Sequence, residues 1–384
     1  MSQQTVSAAP RLTLPPPDSA TYFPALTGIR AVAAYLVCLH HFNPFPNEGQ
    51  TLLLHRLVME FHIGVPIFFV LSGFLITQRY YGTEQWTRRW WAGYLRNRFA
   101  RIYPLYFLLT TLTFWMFQNQ PGVDGSWRTW LLNVLFLRGF LDELKYSGIA
   151  QGWTLTVEEC FYLFAPVAFL LIRRRRVRLW AQPLLLLALG IGFVLLLHRI
   201  PLGLFANFKF MLLFTFFGRC FEFYAGMQLA LWLRAGQLRV APWPGLYTVL
   251  GLALMAATLG GMVAMQGSYD FGQEHPFGVV LNNVVLPGGI LLFFAGLLAE
   301  RTPLQWVLTT PPLQILGRSS YIFYLIHVGV VHDWLAGHIT GSSAGLFLLL
   351  NALSVGLHYL VEQPLNQLIR SRPRPATSPT LSQA

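Results

Sequence analysis

The chain has 384 residues, 54% of them hydrophobic and only 11% charged, with a mean hydropathy of +0.49. Soluble domains carry about 25% charged residues, so this composition excludes an ordinary soluble enzyme and predicts an integral membrane protein. The net charge of +12 is almost all arginine, Lys145 and Lys209 being the only lysines, and the arginines stand between apolar runs; that points to orientation in a bilayer and away from nucleic acid.

Residues 1–20 are polar and proline-rich, without the apolar core of a signal peptide, and are expected to be a disordered tail, as is 369–384. Between them, 21–368 is expected to form one membrane domain. Ten stretches approach the roughly 20 apolar residues that cross a bilayer: 26–44, 59–78, 103–119, 154–172, 180–198, 210–232, 245–265, 278–299, 315–336 and 343–361. An eleventh, 129–141, is shorter. With the N-terminus inside and 129–141 not crossing, the arginines of 79–101, the run RRRRVR at 173–178, Arg234, Arg239, Arg301, Arg370, Arg372 and Arg374 all fall inside. Asp124, Asp142, Glu143, Asp270, Glu274 and Asp333 fall outside. This obeys the positive-inside rule. The expected fold is an all-α membrane protein of about ten transmembrane helices, both termini cytoplasmic, with a re-entrant or interfacial piece at 129–141. Cys38, Cys160 and Cys220 lie inside apolar segments, which excludes a disulfide framework.

Several spans carry polar residues that cost free energy in lipid and mark function by default. In LTGIRAVAAYLVCLHHF, Arg30 and His41 are eleven residues apart. At 100° per residue they fall within about 20° of one face, roughly 16 Å apart along the axis. His40 points elsewhere. The second span, GVPIFFVLSGFLIT, offers Gly64, Pro66, Ser72 and Gly73 for a kink or close approach. YLRNRFARIYP is a basic amphipathic segment before the third span. Its Arg98 and Arg101 suit phosphates, but on composition alone anchoring to anionic lipid head groups is the preferred reading. In WTLTVEECFY, Glu158 and Glu159 open the fourth span, as site residues or as helix-capping carboxylates. Arg219 and Glu222 in GRCFEFYAGM are neighbours at i,i+3, a site or a pair that neutralises itself. Ser320, Tyr324 and His327 in LGRSSYIFYLIH recur at helical spacing on one face. No metal-ligand pattern is present.

These seven segments, with VEQP at 361–364 the last, occur in an order that resembles membrane-bound acyltransferase family 3, the O-acyltransferases of sugars, polysaccharides and macrolides. The resemblance runs from residue 26 to 364. It implies a ten-helix enzyme using acyl-coenzyme A as donor substrate, with no permanently bound cofactor, and a sugar-containing acceptor. It places the family's essential arginine and histidine on Arg30 and His41. It also singles out Arg98 and Arg101 and the pair Arg219/Glu222. One departure is GVP where the family often has GVD, so a carboxylate at position 66 is absent or replaced, for instance by Glu60.

The expected reaction is transfer of an acetyl or short acyl group to a hydroxyl, in a bacterial cytoplasmic membrane. A hydroxyl needs a base, and histidine suits that role near neutral pH. His41 is the expected base, with Arg30 organising the donor and Glu222 orienting a histidine or the acceptor. Arg98 and Arg101 are expected on the phosphates of coenzyme A, with Arg219 paired to Glu222; His327 is a second candidate base. Two rivals are a proton-coupled transporter and a non-catalytic partner in envelope synthesis. The sequence shows none of the internal repeats frequent in transporters.

Overall fold

The computed structural model describes residues 22–117, 124–238 and 242–370. The expected tails at 1–20 and from 371 onward, and with them Arg239, Arg372 and Arg374, lie outside the described residues. Among these the chain is all helical, with no strand and a single isolated bridge between Leu141 and Leu204.

Among the described residues, six helical stretches are long and apolar enough to cross a membrane: Gly49–Tyr80, Ala150–Arg173, Phe208–Arg234, Leu246–Met265, Pro276–Ala299 and Ser343–Ile369. They coincide with six of the ten expected spans. The first is built from helix α2 (Leu52–Met59), a 3-10 turn at Glu60–Ile63 and α3 (Gly64–Tyr80). Pro66 is the third residue of α3, next to that turn, where its missing N–H costs the helix ladder little.

The other four stretches differ in ways the sequence pattern did not separate. α1 (Pro24–His41) has 18 residues, but its arginine and two histidines dilute its apolar character. Residues 103–117 of the stretch 103–119 are the second half of α4 (Arg88–Phe117), 30 residues long with Pro104 inside; 118 and 119 lie outside the described residues. The basic segment and the third span are thus one helix, about 45 Å long at 1.5 Å per residue. The piece at 129–141 becomes α5 (Trp127–Val134) followed by a 3-10 turn at Arg138–Phe140. Eight residues reach only about 12 Å, too short to cross. Next come α6 (Trp153–Arg173) and α7 (Ala181–Leu197), the latter apolar but only 17 residues long, against 20 or more in the six.

α8 (Phe208–Phe214) and α9 (Phe216–Arg234) form the next hydrophobic stretch. They are followed by α10 (Leu246–Met265), α11 (Pro276–Val280), α12 (Leu286–Ala299) and α13 (Pro303–Leu308). The expected span 315–336 is not one helix. α14 (Pro311–Ile326) ends before Gly329, whose φ of 92° only glycine adopts freely, and α15 (Val330–His338) starts afresh. α16 (Ser343–Leu357) runs through a π turn at His358–Glu362 into α17 (Gln363–Ile369).

Without a hydrophobic drive between helices in lipid, close packing must come from small residues. α3 and α9 cross at Gly73 and Gly226, where any side chain would overlap the carbonyls of Phe223 and Val70. α1 and α14 cross the same way at Gly317, against the Thr27 carbonyl. Phe161 and Phe69 stack on the two faces of Phe223, at 4.4 and 4.7 Å between ring centroids, and tie α6 to α3 and α9. These crossings gather α1, α3, α4, α6 and α14 around a common interior.

Candidate active site

Two cavities share Arg30, Leu71, Leu75 and Arg101 as a common wall. The larger, about 510 Å³, is a vestibule at the N-terminal end of α1, where it meets α14 and α17. Its charged lining is Arg30, Arg101, Arg318 and Arg370, opposed by the single carboxylate of Glu362, which His358 engages at 2.8 Å. The inner cavity, about 60 Å³, lies deeper between α1, α3, α4, α6 and α14. Apolar walls from Val65, Phe68 and Leu155 surround a polar cluster of Arg30, Ser72, Arg101, Glu158, Tyr162 and Tyr324.

Glu158 is the sixth residue of α6, and the first turn of that helix carries no acid. The capping role open to it in the sequence is therefore excluded. Its carboxylate instead accepts hydrogen bonds from Ser72 of α3 and Tyr162 of its own helix. Tyr162 is four residues on, one helical turn away, so the pair shares a face. Glu159 is half-buried and lines neither cavity. Tyr324 faces the inner cavity, and its hydroxyl lies 3.0 Å from Thr154 Oγ1.

The face that holds Arg30 leads along α1 to His41 at the other end. There His41 Nδ1 lies 2.8 Å from the Val37 carbonyl, and His327 Nδ1 lies 2.8 Å from the Tyr324 carbonyl. A carbonyl oxygen only accepts, so both Nδ1 atoms carry protons. His327 Nε2, 3.3 Å from His41 Nδ1, is then a second acceptor for the His41 proton. This leaves the lone pair of neutral His41 on Nε2. His41 is exposed, His327 fully buried. The Tyr324 and His327 rings are 5.8 Å apart, which links the inner cavity to the histidine pair. His40 points away, its Nδ1 at 2.6 Å from the Met59 carbonyl.

Other sequence candidates lie elsewhere. Arg98 is 4% exposed, with its guanidinium over the rings of Tyr80 and Tyr162, and lines neither cavity, unlike Arg101 one turn on. Arg219 and Glu222 are buried against each other in a two-pronged pair of 2.7 and 3.1 Å, also away from both cavities. Glu60 does not replace a carboxylate at position 66 in the cavity. It is engaged by His62 at 3.0 Å and by the Gly272 amide at 2.6 Å.

Sequence reasoning missed Arg318, and it read Arg370 only as an inside charge. It also missed Arg138 and Gln151, both buried, in the loop region between α5 and α6. An arginine inside the short apolar stretch 129–141 was the available signal for Arg138. Among the described residues no group of three or more His, Cys, Asp or Glu side chains could hold a metal ion.

A family model described as an acyltransferase domain matches residues 23–361. The acyltransferase MdmB of Streptomyces mycarofaciens is 28% identical over 94% of this chain and 96% of its own length. The O-acetyltransferase OatA of Staphylococcus aureus is 25% identical, over 47% of this chain and 31% of its own. The peptidoglycan O-acetyltransferase OatA of Listeria monocytogenes is 29% identical, over 46% and 28%. The chain thus matches less than a third of the length of these two relatives. No solved structure matches significantly. With a match over nearly its whole length, and with its apolar helices, the chain belongs to membrane-bound acyltransferase family 3 and is a multi-pass integral membrane protein.

Proposed function

We propose that this protein is an O-acyltransferase that moves an acetyl or short acyl group from acyl-coenzyme A to a hydroxyl of a sugar-containing acceptor. The observation that carries the reading is a chain of adjoining polar groups from the vestibule to the histidine pair. A vestibule with four arginines against one carboxylate shares a wall with the inner cavity of Glu158 and Tyr324, and the Tyr324 ring packs at 5.8 Å on His327, which meets His41. A polyanion such as the phosphate portion of coenzyme A suits the vestibule, because guanidinium groups offer paired donors to phosphate oxygens. Arg101 and Arg30 stand where the vestibule meets the inner cavity, which suits a phosphopantetheine arm threading inward.

The chemistry then divides by position. The acceptor hydroxyl gives its proton to His41 Nε2 as its oxygen attacks the thioester carbonyl carbon. The carbon–sulfur bond breaks, and the departing thiolate takes the proton from His41, which restores the neutral imidazole. His327 steadies the His41 imidazolium between the two steps. A preorganised base of this kind contributes about 10²- to 10⁴-fold in rate. Arg219 and Glu222 act in this reading as a fold element, and Arg98 as a packed neighbour of the site.

The acceptor assignment leans on the printed function of one relative, a peptidoglycan O-acetyltransferase, and on the exposure of His41 at the end of α1 remote from the vestibule. The same reading has ten crossings, both ends in the cytoplasm of a bacterial inner membrane, and the vestibule open to the cytoplasm.

The test is acyl-coenzyme A binding and turnover by purified wild-type and His41→Ala protein with a panel of sugars, read by mass. Product from the wild type alone supports the donor, the base and an acceptor class together. Absence of donor binding in folded protein overturns the donor reading and moves the assignment to a transporter.

A further inference from the structure

The carbonyl of Tyr324 accepts two hydrogen bonds at once. One comes from His327 Nδ1 at 2.8 Å, the other from Gln151 Nε2 at 2.7 Å. The same Gln151 amide nitrogen lies 3.0 Å from the Leu325 carbonyl. α14 ends at Ile326, so these two carbonyls belong to its last turn and have no partner further along the helix. Gln151 is 4% exposed and comes from the loop before α6, 173 residues away in sequence. It caps the end of α14 from outside.

Gln151 is itself braced. The fully buried Arg138 guanidinium donates to the carbonyls of Ser147 and Ile149, the turn that leads into Gln151. Thr154 Oγ1 donates to the Gln151 carbonyl at 2.8 Å and meets the Tyr324 hydroxyl at 3.0 Å. The segment before α6 and the last turn of α14 are therefore pinned to each other at the residue whose carbonyl fixes the His327 tautomer.

We propose that Gln151 is a positioning residue for the reaction, with Arg138 its strut. By anchoring the Tyr324 carbonyl, Gln151 keeps His327 Nδ1 protonated and Nε2 aimed at His41. Without it the carbonyl at the frayed end of α14 is free to rotate, and His327 loses the acceptor that sets its tautomer. Gln151 touches neither substrate nor reacting atoms; it acts through His327. This inference rests on the reading of His41 as the base.

The experiment is a kinetic double-mutant cycle on the full-length protein in detergent, with acyl-coenzyme A and an accepted sugar. The variants are Gln151→Met, which keeps the length of the side chain and removes the donor, His327→Ala, and both together. The expected result is a kcat about fivefold lower in Gln151→Met, with the donor KM within twofold of wild type. Adding Gln151→Met to His327→Ala is expected to cost less than a further twofold, because its route of action is already gone. An unchanged kcat in the single variant overturns the proposal. So does an equal loss in both backgrounds, which would mean that Gln151 acts through the fold at large. If Gln151→Met does not fold, Gln151→Glu takes its place in the cycle, since it keeps the shape and removes the amide donor. His41→Ala is run alongside. If it keeps wild-type turnover, the base assignment itself fails, whereas an inactive His41→Ala with an unaffected Gln151→Met sinks only the positioning role.

Discussion

His327 Nε2 stands 3.3 Å from His41 Nδ1, although 286 residues separate the two in sequence. Each ring also donates its Nδ1 proton to a carbonyl of its own helix, so the pair has one free lone pair, on His41 Nε2. A single nitrogen thus becomes the place where a proton can be accepted.

The two histidines are not equivalent. His41→Ala removes the base and is expected to lower kcat by about 10²- to 10⁴-fold. His327→Ala removes the hydrogen bond that steadies the His41 imidazolium, worth about 1.5 kcal/mol for a bond to a charged group, and is expected to lower kcat about tenfold. Both proteins should elute as the wild type does on size exclusion. Equal losses in turnover assays would make His327 a second base rather than a partner.

The vestibule arginines are expected to act on donor affinity. Hydrogen bonds to charged groups contribute about 1.5–3 kcal/mol, so Arg101→Ala should raise the KM for acyl-coenzyme A about 10- to 100-fold. Arg101→Lys should recover part of this, because the ammonium keeps the charge but loses the paired geometry. Arg98→Ala, which opens no wall of either cavity, should change KM far less. Steady-state kinetics with varied donor distinguish the three.

The Arg219–Glu222 pair offers a test of fold against catalysis. Removing one member leaves a buried unpaired charge, and Arg219→Met or Glu222→Met alone should cost about 3–5 kcal/mol. Replacing both with methionine should restore most of that stability. Thermal unfolding in detergent measures the cycle, and turnover by the double variant decides the role: recovered activity means packing, persistent loss means that the pair takes part in the reaction.

The proposed topology has an accessible readout. Cys38 and Cys220 are buried and Cys160 half-buried, so background labelling by an impermeant maleimide should be low. Arg175→Cys, in the exposed turn between α6 and α7, should label only from the cytoplasmic side. Tyr146→Cys, at a position 56% exposed before α6, should label only from the other side. Labelling of both from one side would remove the crossing assigned to α6.

Much of the site could be read because membrane helices make polar residues conspicuous. Arg30 and His41 stand out in an apolar run, and the 100° step alone puts them on one face; the structure has Arg30 on the shared wall of both cavities, while His41 lines neither. Glu158 stayed open between site residue and cap in the sequence; the structure has it sixth in α6, past the first turn, and bonded to Ser72 of another helix, a partner that no local pattern shows. The break in α14 was missed because Gly329 sits in an apolar stretch, and a single positive φ leaves no mark on hydropathy.

The sequence by itself determined the class of molecule, its apolar segments and the two residues of α1, since lipid penalises every polar side chain and every unpaired peptide group, so composition and period alone are informative. Only the tertiary structure decided which polar residues meet. Glycine contacts at Gly73, Gly226 and Gly317 set the helix crossings, and those crossings bring Ser72 to Glu158 and His327 to His41 while Arg219 and Glu222 are left to each other. Such pairings depend on backbone approach between helices distant in sequence, a property that no single segment carries.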